Sequence, residues 1–317
     1  MYDIVSLGEL LIDFTESGVS PAGQRLFEQN AGGAVTNLLC AASQCGSKTG
    51  FIGKVGRDMH GAFLKQAMVN AGVEMHALIE ADDVFTTLAF VALKPSGERE
   101  FSFARKPGAD TQLRSDELDR EMLNHTRVFH TGSLSLTQEP ARSATYEAID
   151  IAKAAGAVIS YDPNYRASLW SGRDEAIRFM RSLIVTADIM KVSDEELPLL
   201  TGETDPEKAA DVLLDQGVKI VAITLGSEGA YVRVGKEHAL VPGFRAKAVD
   251  TTGAGDSFFG GFLYRFLSSG KSLREVTISD AADYARFGNA TASLCVERRG
   301  GIPAMPKLAE VLERLKQ

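Results

Sequence analysis

The feature that most constrains the fold is a regular alternation of short, apolar, strand-like segments with longer segments of helical periodicity. The strand-like segments are YDIVSLGE, TGFIGKVG, RVFHTGS, AVISYDPN, ADIMKVS and KIVAITLG. Helix-period segments lie at 33–46, 60–72, 139–155, 173–186 and 205–216. Strands that alternate with helices of about 10–15 residues form βαβ units. The sequence therefore predicts an α/β fold with a mainly parallel sheet, whose ligands bind at the carboxyl ends of the strands.

One region interrupts this alternation. Residues 84–105 have the pattern of two strands joined by the turn sequence Pro95-Ser96-Gly97-Glu98. A hairpin has no place within a parallel αβ series, and the stretch 12–30 is also poor in helix. We therefore expect a single domain over residues 1–317, with a small β-sheet lid formed by about 12–30 and 84–108.

Composition excludes several classes of partner. The 317 residues carry a net charge of −8, so the chain has no broad basic field for nucleic acid. No run reaches the roughly 20 apolar residues that span a bilayer. The chain enters a strand pattern at once, without a secretory signal. We expect a cytoplasmic protein with no nucleic-acid or membrane partner.

The cysteines and histidines do not form a recognisable metal-binding pattern. The three cysteines lack CxxC spacing, and the five histidines form no HxH or HExxH motif. We therefore expect core thiols and no transition-metal site built from the protein alone.

The segment VDTTGAGDSFFGGF places an acid, Asp256, where two glycines precede an apolar helix. The start of a helix favours anions through its unpaired N–H groups and the positive end of its dipole. Asp256 has two interpretations: a first-turn carboxylate that stabilises its own helix, or a proton acceptor beside a bound phosphate. GxxxxGK[ST], GxGxxG after the first strand and GxSxG are all absent from the sequence, so these more familiar motifs do not decide the question.

Further motifs resemble those of a known family. The segment AGGAVTNLLCAASQCGSKTGFIGKVGRDMHG and the segment VDTTGAGDSFFGGF resemble the paired signatures of the ribokinase-like, PfkB-type carbohydrate kinases. The resemblance spans nearly the whole chain and is strongest to bacterial fructokinases. It is carried, in order, by GELLID, GGAxxN, GKVGxDxxG, FSFARKPGAD, FHTGSLSL, YDPNYR, KVSDEE, TLGSEG and DTTGAGD. It implies a three-layer sandwich with a β-sheet lid, and ATP-dependent phosphorylation of a sugar hydroxyl.

The resemblance gives the GAGD segment a catalytic role. The amides of Gly253, Ala254 and Gly255 would form an anion hole for the transferred phosphoryl group. Asp256 would be the general base that accepts the proton of the sugar hydroxyl. Phosphoryl transfer depends mainly on positioning and on neutralisation of charge, which these groups would supply.

The resemblance also implies a sugar site under the lid. Asp13 matches an aspartate that binds vicinal hydroxyls, and Gly33 and Asn37 match the second signature. Arg105 resembles the arginine that fructokinases and 2-keto-3-deoxygluconate kinases place over the substrate. The alternatives are a helix cap for Gly33, a core amide for Asn37 and a solvated strand-end charge for Arg105.

The nucleotide side is implied by residues that follow strand ends. Asn164 and Arg166 would reach the ATP phosphates, and Thr224, Gly226 and Gly229 resemble the adenosine-binding turn.

The resemblance implies Mg²⁺ as well as ATP. Lys191, Ser193 and Glu196 lie where relatives carry an Asn-x-x-Glu element that orders Mg²⁺ through water. Ser193 replaces the asparagine and Glu196 matches the glutamate, so magnesium is expected but its shell is left open.

Many relatives also bind a monovalent cation beside the anion hole. Asp250 and Thr252 match the first half of that K⁺ element, whereas Ala304 stands where ribokinases offer a serine hydroxyl. The sequence leaves open whether this chain binds K⁺.

Three functions fit the sequence, and they are given in decreasing order of support. The first is a fructokinase, and the second is a 2-keto-3-deoxygluconate kinase or another PfkB sugar or nucleoside kinase. The third, from a different class, is a non-catalytic sugar-binding sensor.

We also expect a homodimer that pairs through the lid, because a two-strand flap is only marginally stable alone and its unpaired edges can bind a second strand.

Overall fold

The structure, a computed structural model, describes residues 1–93 and 99–317. The large sheet contains β1 (Tyr2–Leu7), β4 (Thr49–Gly56), β5 (Leu78–Ala81), β8 (Thr126–Thr131), β9 (Val158–Tyr161), β10 (Ile189–Ser193), β11 (Ile220–Thr224), β12 (Gly229–Val234) and β13 (Glu237–Pro242). The small sheet contains β2 (Leu11–Val19), β3 (Arg25–Gly32), β6 (Leu88–Leu93) and β7 (Arg99–Ala104). The helices are α1 (Ala34–Gln44), α2 (Met59–Asn70), α3 (Arg120–Asn124), α4 (Ala141–Ala154), α5 (Arg173–Ile184), α6 (Leu197–Leu200), α7 (Pro206–Asp215), α8 (Ala254–Ser268), α9 (Ile278–Cys295) and α10 (Leu308–Arg314).

The large sheet is buried on both faces, which makes the molecule three-layered. Its order is β13-β12-β11-β10-β9-β8-β1-β4-β5, and the pairs from β11 to β5 are parallel. Side chains alternate along each strand, so Ile4 belongs to the core cluster shared with α1, α2, α8 and α9, whereas Val5 belongs to the cluster shared with α3, α4, α5 and α7. The predicted fold class is confirmed.

Helix α8 is held in place by close backbone packing. A Cβ built on Gly260 would lie 2.5 Å from the carbonyl oxygen of Leu38 in α1. A Cβ on Gly261 would lie 2.5 Å from Thr291 Oγ1 in α9. The apolar, glycine-containing run after Asp256 therefore lets α8 lie directly against two neighbours, and this fixes the position of its N-terminus.

The small sheet has the order β3-β2-β6-β7 and stands over the carboxyl edge of the large sheet. The predicted hairpin corresponds to β6 and β7, while its turn at 95–98 lies outside the described residues. The stretch 12–30 is more regular than expected, because β2 and β3 occupy most of it. Asp13 and Thr15 line the cavity on one face of β2, while Ile12 and Phe14 alternate with them on the apolar face.

An antiparallel hairpin at one edge of the large sheet was not predicted. Strands β12 and β13 pair with each other, and β12 pairs with β11 in antiparallel register. The turn Gly235-Lys236 between two alternating segments is the sequence signal that marks it.

Among the described residues, we find no helix with the length and apolarity needed to cross a bilayer.

Candidate active site

A cavity of about 550 Å³ lies between the lid and the carboxyl edge of the large sheet. The N-termini of α1 and α8 both open into it, as do the loops that follow β9, β10 and β11. The lid contributes polar side chains from its inner face: Asp13, Thr15 and Asn30. The site therefore lies where a mainly parallel sheet is expected to bind ligands.

Asp256 sits in the first turn of α8 with both carboxylate oxygens engaged. Asn37 Nδ2 donates to its Oδ2 at 2.8 Å, and Asn164 Nδ2 donates to its Oδ1 at 3.0 Å. Burial raises the pKa of Asp256, and the hydrogen bond from Asn37 opposes that rise. The two amides hold the carboxylate plane in a fixed orientation, and Asp256 lines the cavity.

The N-terminus of α8 opens into the cavity. Gly253 is the N-cap residue with φ of 75°, a conformation that favours glycine. Gly253, Ala254 and Gly255 all line the cavity. The Ala254 N–H donates to the Thr251 carbonyl at 3.2 Å, so this amide also closes the turn. The first-turn amides of a helix have no intrahelical acceptor and can bind an anion.

The wall opposite α8 is built from the loop before α1. Gly33 has φ of 131°, and a Cβ there would lie 2.4 Å from the Glu9 carbonyl oxygen, so the loop requires glycine. A Cβ on Gly32 would lie 2.2 Å from Asp13 Oδ2, which places that carboxylate directly against the backbone. Burial raises the pKa of Asp13 to about 6. Asp13, Gly33 and Asn37 thus surround one part of the cavity.

Glu9 was not among the predicted site residues, although it follows β1 and lines the cavity. Its Oε1 accepts from the Ala34 N–H at 2.6 Å, so the side chain caps α1. Burial raises the pKa of Glu9 to about 7. The signal that could have found it is the GE pair at the end of the first strand.

Arg105 differs from the expectation. Its guanidinium makes four hydrogen bonds within the protein: two to Asp110 Oδ2 at 2.8 and 2.6 Å, one to Thr137 Oγ1 and one to the Leu134 carbonyl. Arg105 is 4% exposed and does not line the cavity. A buried charge requires a partner, and Asp110 supplies it. The guanidinium joins the end of β7 to the loop after β8, and a contact between Arg105 and a sugar stays a prediction.

The nucleotide-side residues divide into two groups. Asn164, Arg166, Thr224 and Gly226 line the cavity. Gly229 does not: it has φ of 110°, and a Cβ there would lie 2.1 Å from the Val241 carbonyl oxygen. The described geometry therefore gives Gly229 a role in the turn into β12.

Lys191, Ser193 and Glu196 line the same end of the cavity. Glu196 Oε1 accepts from the Tyr165 N–H at 2.7 Å, and Oε2 accepts from the Ser193 N–H and Oγ at 2.9 and 2.8 Å. Because both oxygens are engaged by the protein, Glu196 fits a metal ion that is held through water better than one bound directly.

Asp250 and Thr252 form a compact turn before the anion hole. Asp250 Oδ1 accepts from the Thr252 N–H and Oγ1 at 2.9 and 2.8 Å, and Oδ2 accepts from the Gly300 N–H at 3.0 Å. The carboxylate therefore ties residues 250–252 to the loop at 300. Among the described residues, no group of three or more His, Cys, Asp or Glu side chains could hold a metal ion by itself.

Residues 1–308 match the family described as pfkB family carbohydrate kinase. The chain belongs to this family. Fructokinase-1 of Zea mays is 40% identical to this kinase over 319 residues, which cover 99% of this chain and 98% of the relative. A double mutant of the Vibrio cholerae O395 fructokinase, bound to fructose, ADP and potassium ion, superposes with a TM-score of 0.89 at 30% identity. It covers 99% of this chain and 98% of that one. A putative ribokinase II from E. coli, in complex with ATP and Mg²⁺, has a TM-score of 0.88 at 27% identity over 100% of this chain and 99% of that one.

Proposed function

We propose that this protein is a fructokinase that transfers the γ-phosphoryl group of ATP to the 6-hydroxyl of fructose. The observation that carries the proposal is the position of Asp256, a buried carboxylate held by two amides in the first turn of α8. The 40% identity to Fructokinase-1 over nearly the full length supports fructose as the acceptor.

In the proposed reaction, fructose binds against the wall formed by Asp13, Gly33 and Asn37. The carboxylate of Asp13 accepts hydrogen bonds from two vicinal hydroxyls. Asp256 accepts the proton of the 6-hydroxyl as the hydroxyl oxygen attacks the γ-phosphorus, and the bond from that phosphorus to the bridging oxygen breaks to release ADP. The amides at 253–255 stabilise the charge on the transferred group. Because proton transfer accompanies bond formation, Asp256 can act as the base without a strongly raised basicity.

ATP occupies the end of the cavity lined by Asn164, Arg166, Thr224 and Gly226. When Mg²⁺ is bound with the nucleotide, it neutralises phosphate charge, and Glu196 orders its water. Potassium, which the V. cholerae fructokinase structure contains, would lie against the turn formed by Asp250 and Thr252. In this chain Ala304 offers no hydroxyl, so backbone carbonyls would hold the ion.

The sugar wall favours a neutral substrate over a keto acid. Asp13 and Glu9 both line the cavity there, and the charge of Arg105 is neutralised by Asp110. A substrate carboxylate would face these acids without a dedicated cation. We keep 2-keto-3-deoxygluconate as the second candidate because the exposed Arg166 also lines the cavity.

We expect kcat/KM for fructose to exceed that for 2-keto-3-deoxygluconate by at least about tenfold, a difference of about 1.4 kcal/mol. Coupled ADP release over a sugar panel measures this, with the Asp256→Asn protein as the control for contaminating kinases. Faster turnover of the keto acid would transfer the assignment to the second candidate. ATP binding without turnover of any sugar would favour the sensor. Arg105→Ala is a poor test, because it would leave Asp110 buried without its partner.

As the pH drops below about 6, we expect kcat/KM for fructose to decrease. The pKa of Asp13 is raised to about 6, and protonation removes its charge and turns one acceptor oxygen into a donor. Asp256 also loses its function when protonated, so the decrease of kcat/KM at low pH should depend on two protons. In Asp13→Asn the decrease should depend on one proton, and the maximum kcat/KM should be lower. An unchanged decrease in that variant would remove Asp13 from sugar binding.

The outer face of the lid supports the proposed homodimer. Phe27 and Phe90 are each 36% exposed and make an edge-to-face contact at 6.0 Å, with the exposed Leu26 and Val19 on the same sheet. We expect light scattering at micromolar concentration to give twice the 34.1 kDa chain mass. Phe90→Asp should give the monomer, and a wild-type monomer would contradict this arrangement.

A further inference from the structure

A buried carboxylate behind the active site joins two groups that the proposed reaction uses. Asp162 follows β9 and is 3% exposed. Its Oδ1 accepts from the Asn164 N–H at 3.2 Å, and its Oδ2 accepts from Lys191 Nζ at 2.9 Å. Each oxygen therefore holds a different residue that lines the cavity.

The first contact fixes the backbone of Asn164. This residue has φ of 46°, the left-handed conformation that asparagine tolerates better than most residues. The hydrogen bond from its N–H to Asp162 closes the turn that holds this conformation. As a result, Asn164 Nδ2 reaches Asp256 Oδ1 at 3.0 Å.

The second contact fixes a buried ammonium beside the helix start. Lys191 is 5% exposed, and a Cβ built on Gly255 would lie 2.9 Å from its Nζ. Burial lowers the pKa of Lys191, but the carboxylates of Asp162, Glu196 and Asp256 outweigh burial and raise it overall. Lys191 is therefore a cation next to the first-turn amides of α8. An ammonium has three donors, so the contact with Asp162 leaves capacity for an anion.

We propose that Asp162 is a positioning residue that aligns the phosphate-binding cation and the general base with each other. It holds Lys191 toward the anion hole with one oxygen and, through Asn164, orients Asp256 with the other. The inference rests on the proposed role of Asp256.

The arrangement also separates charges that would otherwise pair. Lys191 and Asp256 are close enough that the ammonium lowers the pKa of the carboxylate. Without the charge of Asp162, the ammonium would turn toward Asp256. That contact would withdraw the cation from the phosphate and make the base weaker.

Asp162→Asn tests this directly, because the amide oxygen still accepts from the Asn164 N–H while the negative charge that pairs with Lys191 is lost. We expect kcat to fall about tenfold or more, the KM for fructose to stay within about threefold, and the acid limb of kcat to move to lower pH. Lys191→Met should move that limb to higher pH, since the cation that lowers the pKa of Asp256 is gone. The double variant should resemble Lys191→Met alone.

Asp188→Asn is the matched control. Asp188 Oδ2 accepts from the Ile159 N–H at 2.9 Å at the other end of β9, and Asp188 is not among the residues that line the cavity. Its replacement should lower the melting temperature without moving the acid limb. The inference would be overturned if Asp162→Asn lowered kcat by the same factor in the wild-type and Lys191→Met backgrounds. It would also be overturned if Asp162→Asn left the acid limb of kcat unmoved.

Two further measurements keep the test decisive. If Asp162→Asn does not fold, Asn164→Gly replaces it in the test, because glycine keeps the left-handed backbone and removes the side-chain amide. This variant should move the acid limb of kcat to higher pH. An unmoved limb would overturn the role of Asn164 in orienting Asp256. If wild-type enzyme phosphorylates no sugar, the proposed function fails separately. Binding of a non-hydrolysable ATP analogue, relative to AMP, should still weaken about fivefold or more in Lys191→Met. An unchanged ratio of ATP-analogue affinity to AMP affinity in Lys191→Met would overturn the role of Lys191.

Discussion

Replacement of Asp256 by asparagine is expected to lower kcat by a factor of about 10²–10⁴, the usual effect of losing a general base. The substitution keeps the shape of the side chain but places an NH₂ group where an oxygen now accepts from Asn37 or Asn164. Asn37 can absorb this change, because its buried Oδ1 has no hydrogen-bond partner among the described residues. A flip of the Asn37 amide would present that oxygen to the new donor.

The control for this variant is ligand binding. We expect calorimetry to give fructose and ATP-analogue affinities close to those of the wild type, with a similar melting temperature. A kcat within threefold of the wild type would remove Asp256 from the mechanism. A collapse of binding together with turnover would instead indicate that the carboxylate only stabilises its helix.

Gly255→Ala should lower kcat/KM by about 100-fold or more, comparable to the loss of one donor in an anion hole. The new methyl group would lie 2.9 Å from Lys191 Nζ, at the end of a flexible side chain that can shift. Folding should therefore survive, while the space for the phosphoryl group does not. Steady-state kinetics and thermal melting on the same preparation separate the two effects.

Gly260→Ala in the same helix is the matched control. Its methyl group would lie 2.5 Å from the Leu38 carbonyl oxygen, which is backbone and cannot rotate away. Such overpacking costs about 1–3 kcal/mol of folding stability. We expect a lower melting temperature with kcat of the folded protein nearly kept. Equal losses of activity and stability in Gly255→Ala would favour a plain helix-start role for that residue.

The mainly parallel sheet could be predicted because short, continuously apolar segments alternate with helix-period segments along the chain, whereas the order of its strands was not predicted. The meeting of distant residues at one edge follows from that topology. Asn37 and Asp256 are 219 positions apart in the chain and form a 2.8 Å hydrogen bond. Once a parallel sheet is predicted, residues after strand ends become candidates for one site, and Asn164, Glu196 and Gly226, after β9, β10 and β11, are three that line it.

What could not be predicted depends on which groups pair in the folded state. Arg105 has the same appearance in the sequence whether it faces a ligand or Asp110, and the choice follows from burial at the base of the lid. The bounds of β2 and β3 within the expected lid segment 12–30 were not predicted, because β3 shows no regular apolar alternation in the sequence RLFEQNAG. The role of Asp162 needed the conformation of Asn164, which no local pattern specifies.

The position of α8 late in the chain has a consequence for synthesis. The residues proposed to bind sugar are present by Asn37 and the lid by about residue 104, whereas the turn proposed to bind phosphate begins only at Asp250. A ribosome must therefore translate β1 to β13 before the nascent chain contains that turn. A domain folds as a unit, and α8 supplies buried residues to the core that it shares with α1 and α9. A product that ends before α8 would therefore lack part of this core as well as the proposed phosphate-binding turn.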